Sequence, residues 1–194
     1  MVANINTSIS NVALPSIGSA LNATDTQLTG ITDAYQLGIA ATVLYLGAVG
    51  DRYGRKRMLL LGAFLCVPFS LMSAWSPTAV FLIGAQIAVG VSGGMLYPTT
   101  LSMITALWRG KKLTAAIALW TGIGTGASVL GPILGGWLLG NYWWGSVFLI
   151  TVPLAIVVLV LGFVVLPKSA AEHNEPVDHQ GGTLSVIMIS SLVL

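Results

Sequence analysis

The chain has 194 residues, of which 55% are hydrophobic and 7% are charged, and its formal net charge is +2. A soluble globular domain carries about 25% charged residues, so this composition excludes an ordinary water-soluble protein. The mean hydropathy of +0.88 indicates the same. So small a net charge gives no reason to expect a nucleic-acid partner. The composition therefore predicts an all-α polytopic protein surrounded by membrane lipid.

Six apolar segments are long enough to cross a bilayer, which takes about 20 residues. In chain order they cover residues 1–20, 29–50, 58–75, 79–106, 113–139 and 146–166. A seventh segment begins near Thr183 and reaches the last residue of the sequence. The pattern predicts a six-helix bundle over residues 1–166, a polar linker over 167–182 and the start of a seventh helix over 183–194.

All eight Lys and Arg residues fall in alternate connections between these segments. Lys and Arg accumulate in the cytoplasmic loops of membrane proteins. The pattern therefore predicts a multi-pass protein of the cell membrane with the loops at 51–57, 109–112 and 167–182 in the cytoplasm.

The polar linker contains both histidines, His173 and His179, and the only cysteine, Cys66, lies elsewhere in an apolar run. Two histidines without a further ligand are expected to be solvated, so we expect no metal site and no other cofactor. The sequence also lacks a nucleophile–base set and a phosphate-binding loop, which argues against an enzyme.

The connection after the second segment reads Gly-Ala-Val-Gly-Asp-Arg-Tyr-Gly-Arg-Lys-Arg over residues 47–57. These residues predict a tight, charged turn that could act as a latch at the inner face. Gly54 permits a backbone conformation that other residues resist, and Asp51 can cap a helix or pair with a basic side chain. The candidate residues of this inner gate are Gly47, Asp51, Arg52, Gly54, Arg55 and Lys56.

The fifth segment contains pairs of glycines four residues apart, which share one face of a helix. Such a face allows another helix to approach closely, and a proline within it favours a kink. The residues singled out are Gly122, Gly126, Gly131, Pro132, Gly135 and Gly136.

These two patterns resemble two motifs of the major facilitator superfamily. The run over 47–57 resembles its motif A, with Val49 in place of the usual Leu, and the glycines of segment five resemble its motif C, which is associated with exporters. Stretches at 11–15, 33–37, 97–104 and 148–153 are similar to the EmrB/QacA type of drug:proton antiporter, a group with about fourteen spans.

The resemblance covers residues 4–190 and implies proton-coupled export of amphipathic drugs or related small molecules by rocking of two helical halves. It implies the N-terminal half of such a transporter, so we expect a missing C-terminal half as a partner and no efflux by this chain alone. Two alternatives remain open, a specific metabolite or antibiotic exporter and a non-functional or partner-dependent fragment.

Polar residues inside the predicted spans are the remaining functional candidates. Asp33 is the candidate for proton coupling, and the alternative is a solvated carboxylate near the outer interface. The substrate-path candidates are Asn6, Asn11, Gln86 and Tyr97. In the resembled group, an Asp usually stands at position 6 and an Arg at position 86, so two amides that cannot carry a proton replace two charges.

Overall fold

A computed structural model describes residues 2–165 and 179–193. Eight α-helices follow in chain order: α1 (Val2–Leu21), α2 (Asp25–Tyr53), α3 (Arg55–Ala74), α4 (Ala79–Leu107), α5 (Lys111–Asn141), α6 (Ser146–Leu149), α7 (Thr151–Val165) and α8 (His179–Val193). The predicted all-α fold is therefore confirmed for the described residues. Most of the predicted linker, including His173, lies outside them.

Two of the connections without basic residues lead into helices through threonine caps. The Thr24 side chain accepts a hydrogen bond from Gln27 N at 3.3 Å, and Gln27 Oε1 accepts one from Thr24 N at 3.0 Å. Thr78 Oγ1 likewise accepts from Phe81 N at 3.2 Å at the start of α4. These bonds satisfy first-turn amides that have no partner within the helix.

The two basic connections among the described residues turn at glycines instead. Gly54 has a φ of 110° and Gly110 a φ of 58°, a region that glycine adopts without steric cost. The turn between α2 and α3 is shorter than the sequence predicts, because Asp51 and Arg52 still belong to the last turn of α2 and Arg55 already begins α3.

Helices α6 and α7 are separated only by Ile150, whose φ of −59° and ψ of −33° are helical, so together they cover the described part of the sixth predicted span. The Thr151 hydroxyl lies 2.6 Å from the carbonyl oxygen of Phe148 and 2.7 Å from Ser70 Oγ of α3. Pro153 has no backbone N–H to donate to the Leu149 carbonyl, which accounts for the irregular turn at Ile150.

The described part of α8 already includes His179–Gly182, which precede the predicted start at Thr183. Gly182 lies against the ring of Tyr45 in α2, so closely that a methyl group at this position would overlap the ring. A glycine at this position therefore allows α8 to pack closely against α2.

Four segments of the described residues are long and apolar enough to cross a membrane: Arg55–Ala74, Ala79–Leu107, Lys111–Asn141 and Ser146–Val164. Large apolar side chains on them, such as Phe64, Leu119 and Phe163, are more than half exposed, as a lipid-facing surface requires. Helices α1 and α2 have the length of a span, but their sequences are more polar.

The contact between α2 and α4 is the most extensive, α3 also packs on α4, and α1 packs mainly against α5. The closest approach is between Gly38 of α2 and Gly90 of α4, whose Cβ positions would each collide with backbone of the other helix. A core of aliphatic side chains and one phenylalanine fills the space between α1, α2, α4 and α6; its most buried members are Ile9, Ile17, Ile31, Leu82 and Phe148.

Candidate functional site

A groove of about 360 Å³ lies between α1, α2, α4 and α5, and six of its eight lining residues carry a polar side-chain group. Helix α1 contributes Asn4, Thr7 and Ser8, which share a face because they are three and four residues apart. Gln36 of α2 and Ser128 of α5 complete the polar lining, together with Tyr97 of α4. These groups can donate and accept hydrogen bonds but carry no formal charge, so the groove suits a solute that needs polar contacts without an ion pair.

Asp33 lies on the same side of α2 as this groove. It precedes Gln36 by three residues, so the two side chains leave the helix on one face. The Asp33 side chain is exposed within this chain, and it is not among the residues that line the groove. The face of α2 that carries the polar lining therefore continues to a carboxylate one turn nearer the start of the helix.

Asn6 and Gln86 meet in the interior, although 80 residues separate them in the chain. Asn6 Nδ2 donates a hydrogen bond to Gln86 Oε1 at 3.2 Å, and the two residues are 3% and 0% exposed. Gln86 Nε2 and the hydroxyl of Ser10, one turn after Asn6, are buried without a hydrogen-bond partner. The two positions that are usually charged in the resembled group are thus in direct contact here as neutral amides.

The turn between α2 and α3 is tied to the end of α4 through Asp51 and Arg55. Arg55 Nε donates to Asp51 Oδ1 at 2.9 Å, and Ser102 Oγ of α4 donates to the same oxygen at 3.1 Å. The guanidinium of Arg55 also donates to the Ser102 carbonyl at 3.1 Å. This cluster of Asp51, Arg55 and Ser102 is called the inner latch below.

The neighbouring residues of the same motif make separate contacts. Lys56 Nζ donates to the carbonyl oxygen of Phe163 at 3.0 Å, so a positive charge lies at the C-terminal end of α7, where the helix dipole favours it. Arg52 lies 5.3 Å from the ring centroid of Tyr53. Gly47 faces the ring of Pro98 in α4, where a side chain would be crowded.

The glycines of α5 divide between two faces. Gly131 and Gly135 are buried against Ser8 and Ile9 of α1, so this half of the pattern serves a helix contact within the chain. By contrast, methyl groups at Gly122, Gly126, Gly136 and Gly140 would meet none of the described atoms within 4 Å. Pro132 is exposed on the same face as these open glycines.

The structure separates the four predicted substrate-path residues. Tyr97 lines the groove, Asn6 and Gln86 form the buried pair, and Asn11 is exposed on α1. The sequence analysis missed Gln36 and the polar residues of α1 and α5 in the groove. It also missed the contact between α2 and α4, although Gly90 and Gly94, four residues apart, carry the signal used for α5.

A search among known proteins gives one family over nearly the whole chain. The family model of the Major Facilitator Superfamily matches residues 1–193. The methyl viologen resistance protein SmvA of Salmonella typhimurium is 37% identical over 190 residues, which are 97% of this chain and 38% of that protein.

Other relatives are transporters with similar names. The multidrug efflux pump LfrA of Mycolicibacterium smegmatis is 38% identical over 182 residues, covering 93% of this chain and 36% of that protein. The probable multidrug resistance protein EmrY of Escherichia coli is 33% identical over 190 residues, covering 97% and 37%. The chain thus spans less than two fifths of the length of these relatives. With its apolar helices and a family match over residues 1–193, the chain belongs to the major facilitator superfamily of multi-pass membrane transporters.

Proposed function

We propose that this chain is part of an exporter that moves amphipathic drugs or related small molecules out across the cell membrane, driven by protons moving inward. The observation that carries the proposal is the uncharged polar groove between α1, α2, α4 and α5. A groove of this kind can hold an amphipathic solute by hydrogen bonds and apolar contact without trapping it through a strong ion pair. The names of the relatives, which include a multidrug efflux pump, support the same class of solute.

Asp33 is the proposed proton-coupling residue. Its carboxylate is exposed on the face of α2 that carries the groove residue Gln36. An ionisable group on a spanning helix is costly in lipid, so such a residue is kept where it faces water or the bundle interior and serves transport. The buried amides Asn6 and Gln86 cannot take this role, because neither can bind and release a proton near neutral pH.

The inner latch is the proposed gate at the cytoplasmic face. Asp51 and Arg55 connect the start of α3 to Ser102 near the end of α4, so opening this end of the groove would break hydrogen bonds between these helices. The glycines of α5 would serve helix packing, with Gly131 and Gly135 against α1 and the open face toward a further helix.

The proposed arrangement places residues 51–57, 109–112 and 167–182 in the cytoplasm. The basis is the restriction of Lys and Arg to these connections. Residues 1–166 would form one helical half of the transporter and residues 183–194 the beginning of the next helix. A second half would be the partner that closes the path, since solute sites in such transporters lie between two repeats.

The test is solute movement in everted membrane vesicles from cells that express the gene in its natural setting. Ethidium should accumulate in the vesicles when a proton gradient is present, and a protonophore should abolish the accumulation. Vesicles from a strain without the gene are the control. Ethidium accumulation that continues in the presence of the protonophore would refute proton coupling. If a panel of dyes and metabolites shows transport of one metabolite and of no dye, the specific exporter is favoured.

A further inference from the structure

A second cavity lies behind the groove, among α2, α3, α4, α5 and α7. It has a volume of about 220 Å³, and Tyr35, Tyr97 and Trp120 supply three aromatic rings to its wall. Aliphatic side chains such as Leu96 and Ile123 form most of the remainder. None of the described residues in the wall is Asp, Glu, Lys or Arg.

Tyr97 is the partition between the two spaces, because it lines both the polar groove and this cavity. Its ring meets the ring of Trp120 edge-on, with centroids 5.5 Å apart and an interplanar angle of 73°. Helix α5 packs mainly against α1 and only slightly against α4, which leaves room between α4 and α5 for the space behind Tyr97.

The size and chemistry of the cavity define what fits in it. An apolar cavity of about 150 Å³ in another protein stays dry and binds benzene, so 220 Å³ leaves room for a second ring. A charged group would lose part of its hydration here and would meet no counter-charge among the described lining residues, so the cavity favours neutral molecules over permanent ions. Ring edges and faces favour an aromatic guest over an aliphatic one of equal size.

We infer that this cavity, here called the ring cavity, is a binding site for neutral two-ring aromatic molecules, reached from the polar groove past Tyr97. It is distinct from the groove, whose polar lining suits the hydrophilic part of a solute. The idea that the bound molecules are transported solutes rests on the proposed function, whereas the binding itself does not.

Cys66 supplies the measurement, because it is the only cysteine of the chain, lines the ring cavity and is 2% exposed. The chain in lipid nanodiscs is treated with N-ethylmaleimide, and alkylation is followed by intact mass with and without naphthalene. Occupancy by naphthalene should slow alkylation at least about fivefold. Decalin, the saturated two-ring counterpart, and the dication methyl viologen should each change the rate by less than about twofold.

Two controls separate binding from effects on the lipid. Phe64 lies on the same helix as Cys66 but is 62% exposed, so a Phe64→Cys thiol in a Cys66→Ala chain should react equally fast with and without naphthalene. Hexadecane tests the alternative occupant, a lipid tail. Protection by hexadecane equal to that by naphthalene would overturn the inference, as would equal protection by decalin or none by naphthalene.

A matched pair of tryptophan variants locates the site. Trp120→Leu should raise the naphthalene concentration for half-protection about three- to tenfold, and Trp120→Phe should leave it within about twofold. Trp137→Leu, on the same helix but paired with Tyr142 away from the cavity, should have no effect. An equal effect of Trp137→Leu would overturn the assignment. If Trp120→Leu does not fold, the comparison of naphthalene with decalin and hexadecane on the unaltered chain still decides whether the site exists.

Alkylation requires neither a gradient nor transport, so the two proposals fail separately. Export without protection of Cys66 would refute the ring cavity alone. Protection without export would refute the proposed function and leave the binding site in place.

Discussion

Asn6 and Gln86 place two amide side chains in the contact between α1 and α4, where water does not reach them. Each satisfies part of the hydrogen-bonding capacity of the other, and Gln86 Nε2 remains without a partner. A buried polar group that loses its partner costs more than the bond contributes when it is formed. The pair should therefore respond differently to single and double substitution.

Asn6→Leu or Gln86→Leu alone should lower the free energy of unfolding by about 1 kcal/mol, a typical value for a hydrogen bond between membrane helices. The double variant should lose less than the sum, since no amide is then left unpaired. Unfolding in detergent, followed by circular dichroism, measures both, and exposed Asn11→Leu is the control. Strict additivity of the single effects would show that the amides do not interact.

Asp33 makes the clearest prediction for transport. Asp33→Asn should reduce gradient-driven ethidium movement at least about tenfold, because the amide cannot carry a proton, while ethidium binding stays unchanged. Asp25→Asn, an exposed carboxylate in the first turn of the same helix, is the matched control. Undiminished gradient-driven transport by Asp33→Asn would remove this residue from the coupling mechanism.

At the scale of elements, the contact between α2 and α4 is set by glycine backbones. A methyl group at Gly90 would collide with the carbonyl oxygen of Tyr35, which belongs to a helix that cannot yield locally. Gly90→Ala should therefore destabilise the chain by about 1–3 kcal/mol, the usual cost of overpacking.

Gly84→Ala is the control on the same helix, since nothing lies within 4 Å of its Cβ position. It should leave stability unchanged or raise it by up to about 1 kcal/mol through better helix propensity. Thermal unfolding of the two variants, measured side by side, checks the pair. Equal thermal unfolding midpoints for Gly90→Ala and Gly84→Ala would mean that α2 and α4 are not in backbone contact.

The inner latch should control local opening more than global stability. In this ion pair the Asp51 side chain is 46% exposed and the Arg55 side chain 15%, so Arg55→Gln should cost about 1 kcal/mol of global stability, the upper end for a partly exposed pair. Backbone amides at the junction of α2 and α3 should nevertheless exchange hydrogen faster, because the bond from Arg55 to the Ser102 carbonyl is lost and only the bond between Ser102 and Asp51 remains. Hydrogen exchange measured by mass spectrometry tests this. Arg57 is exposed, so Arg57→Gln is the control, and equal exchange rates in the two variants would refute a role of the inner latch in local opening.

The local features of these elements were readable from sequence, and the contacts between them were not. Gly54 was predictable as the turn between α2 and α3, because its backbone conformation, with a φ of 110°, is one that glycine adopts and other residues resist. The period of a helix shows that Gly131 and Gly135 share a face, but not which helix that face meets. The contact of Asn6 with Gln86 required the packing of α1 on α4, which no spacing along the chain encodes.

For the whole molecule, the placement of charges predicts which ends of the helices face which side of the membrane. In a Cys66→Ala chain, Pro77→Cys should react with a membrane-impermeant maleimide on intact cells, and Trp108→Cys should react only after permeabilisation. Both positions are exposed. The reverse pattern would invert the topology and move the inner latch to the outer face.

The pairing of the helices also has a mechanical meaning. Backbone contact locks α2 to α4, and Asn4 Nδ2, which donates to the Gly124 carbonyl at 3.0 Å, helps to hold α1 to α5. The groove and the Asn6–Gln86 bond lie where one pair meets the other. Because the Asn6–Gln86 bond joins α1 to α4, we expect it to be one of the contacts that must break if α1 and α5 shift together against α2, α3 and α4.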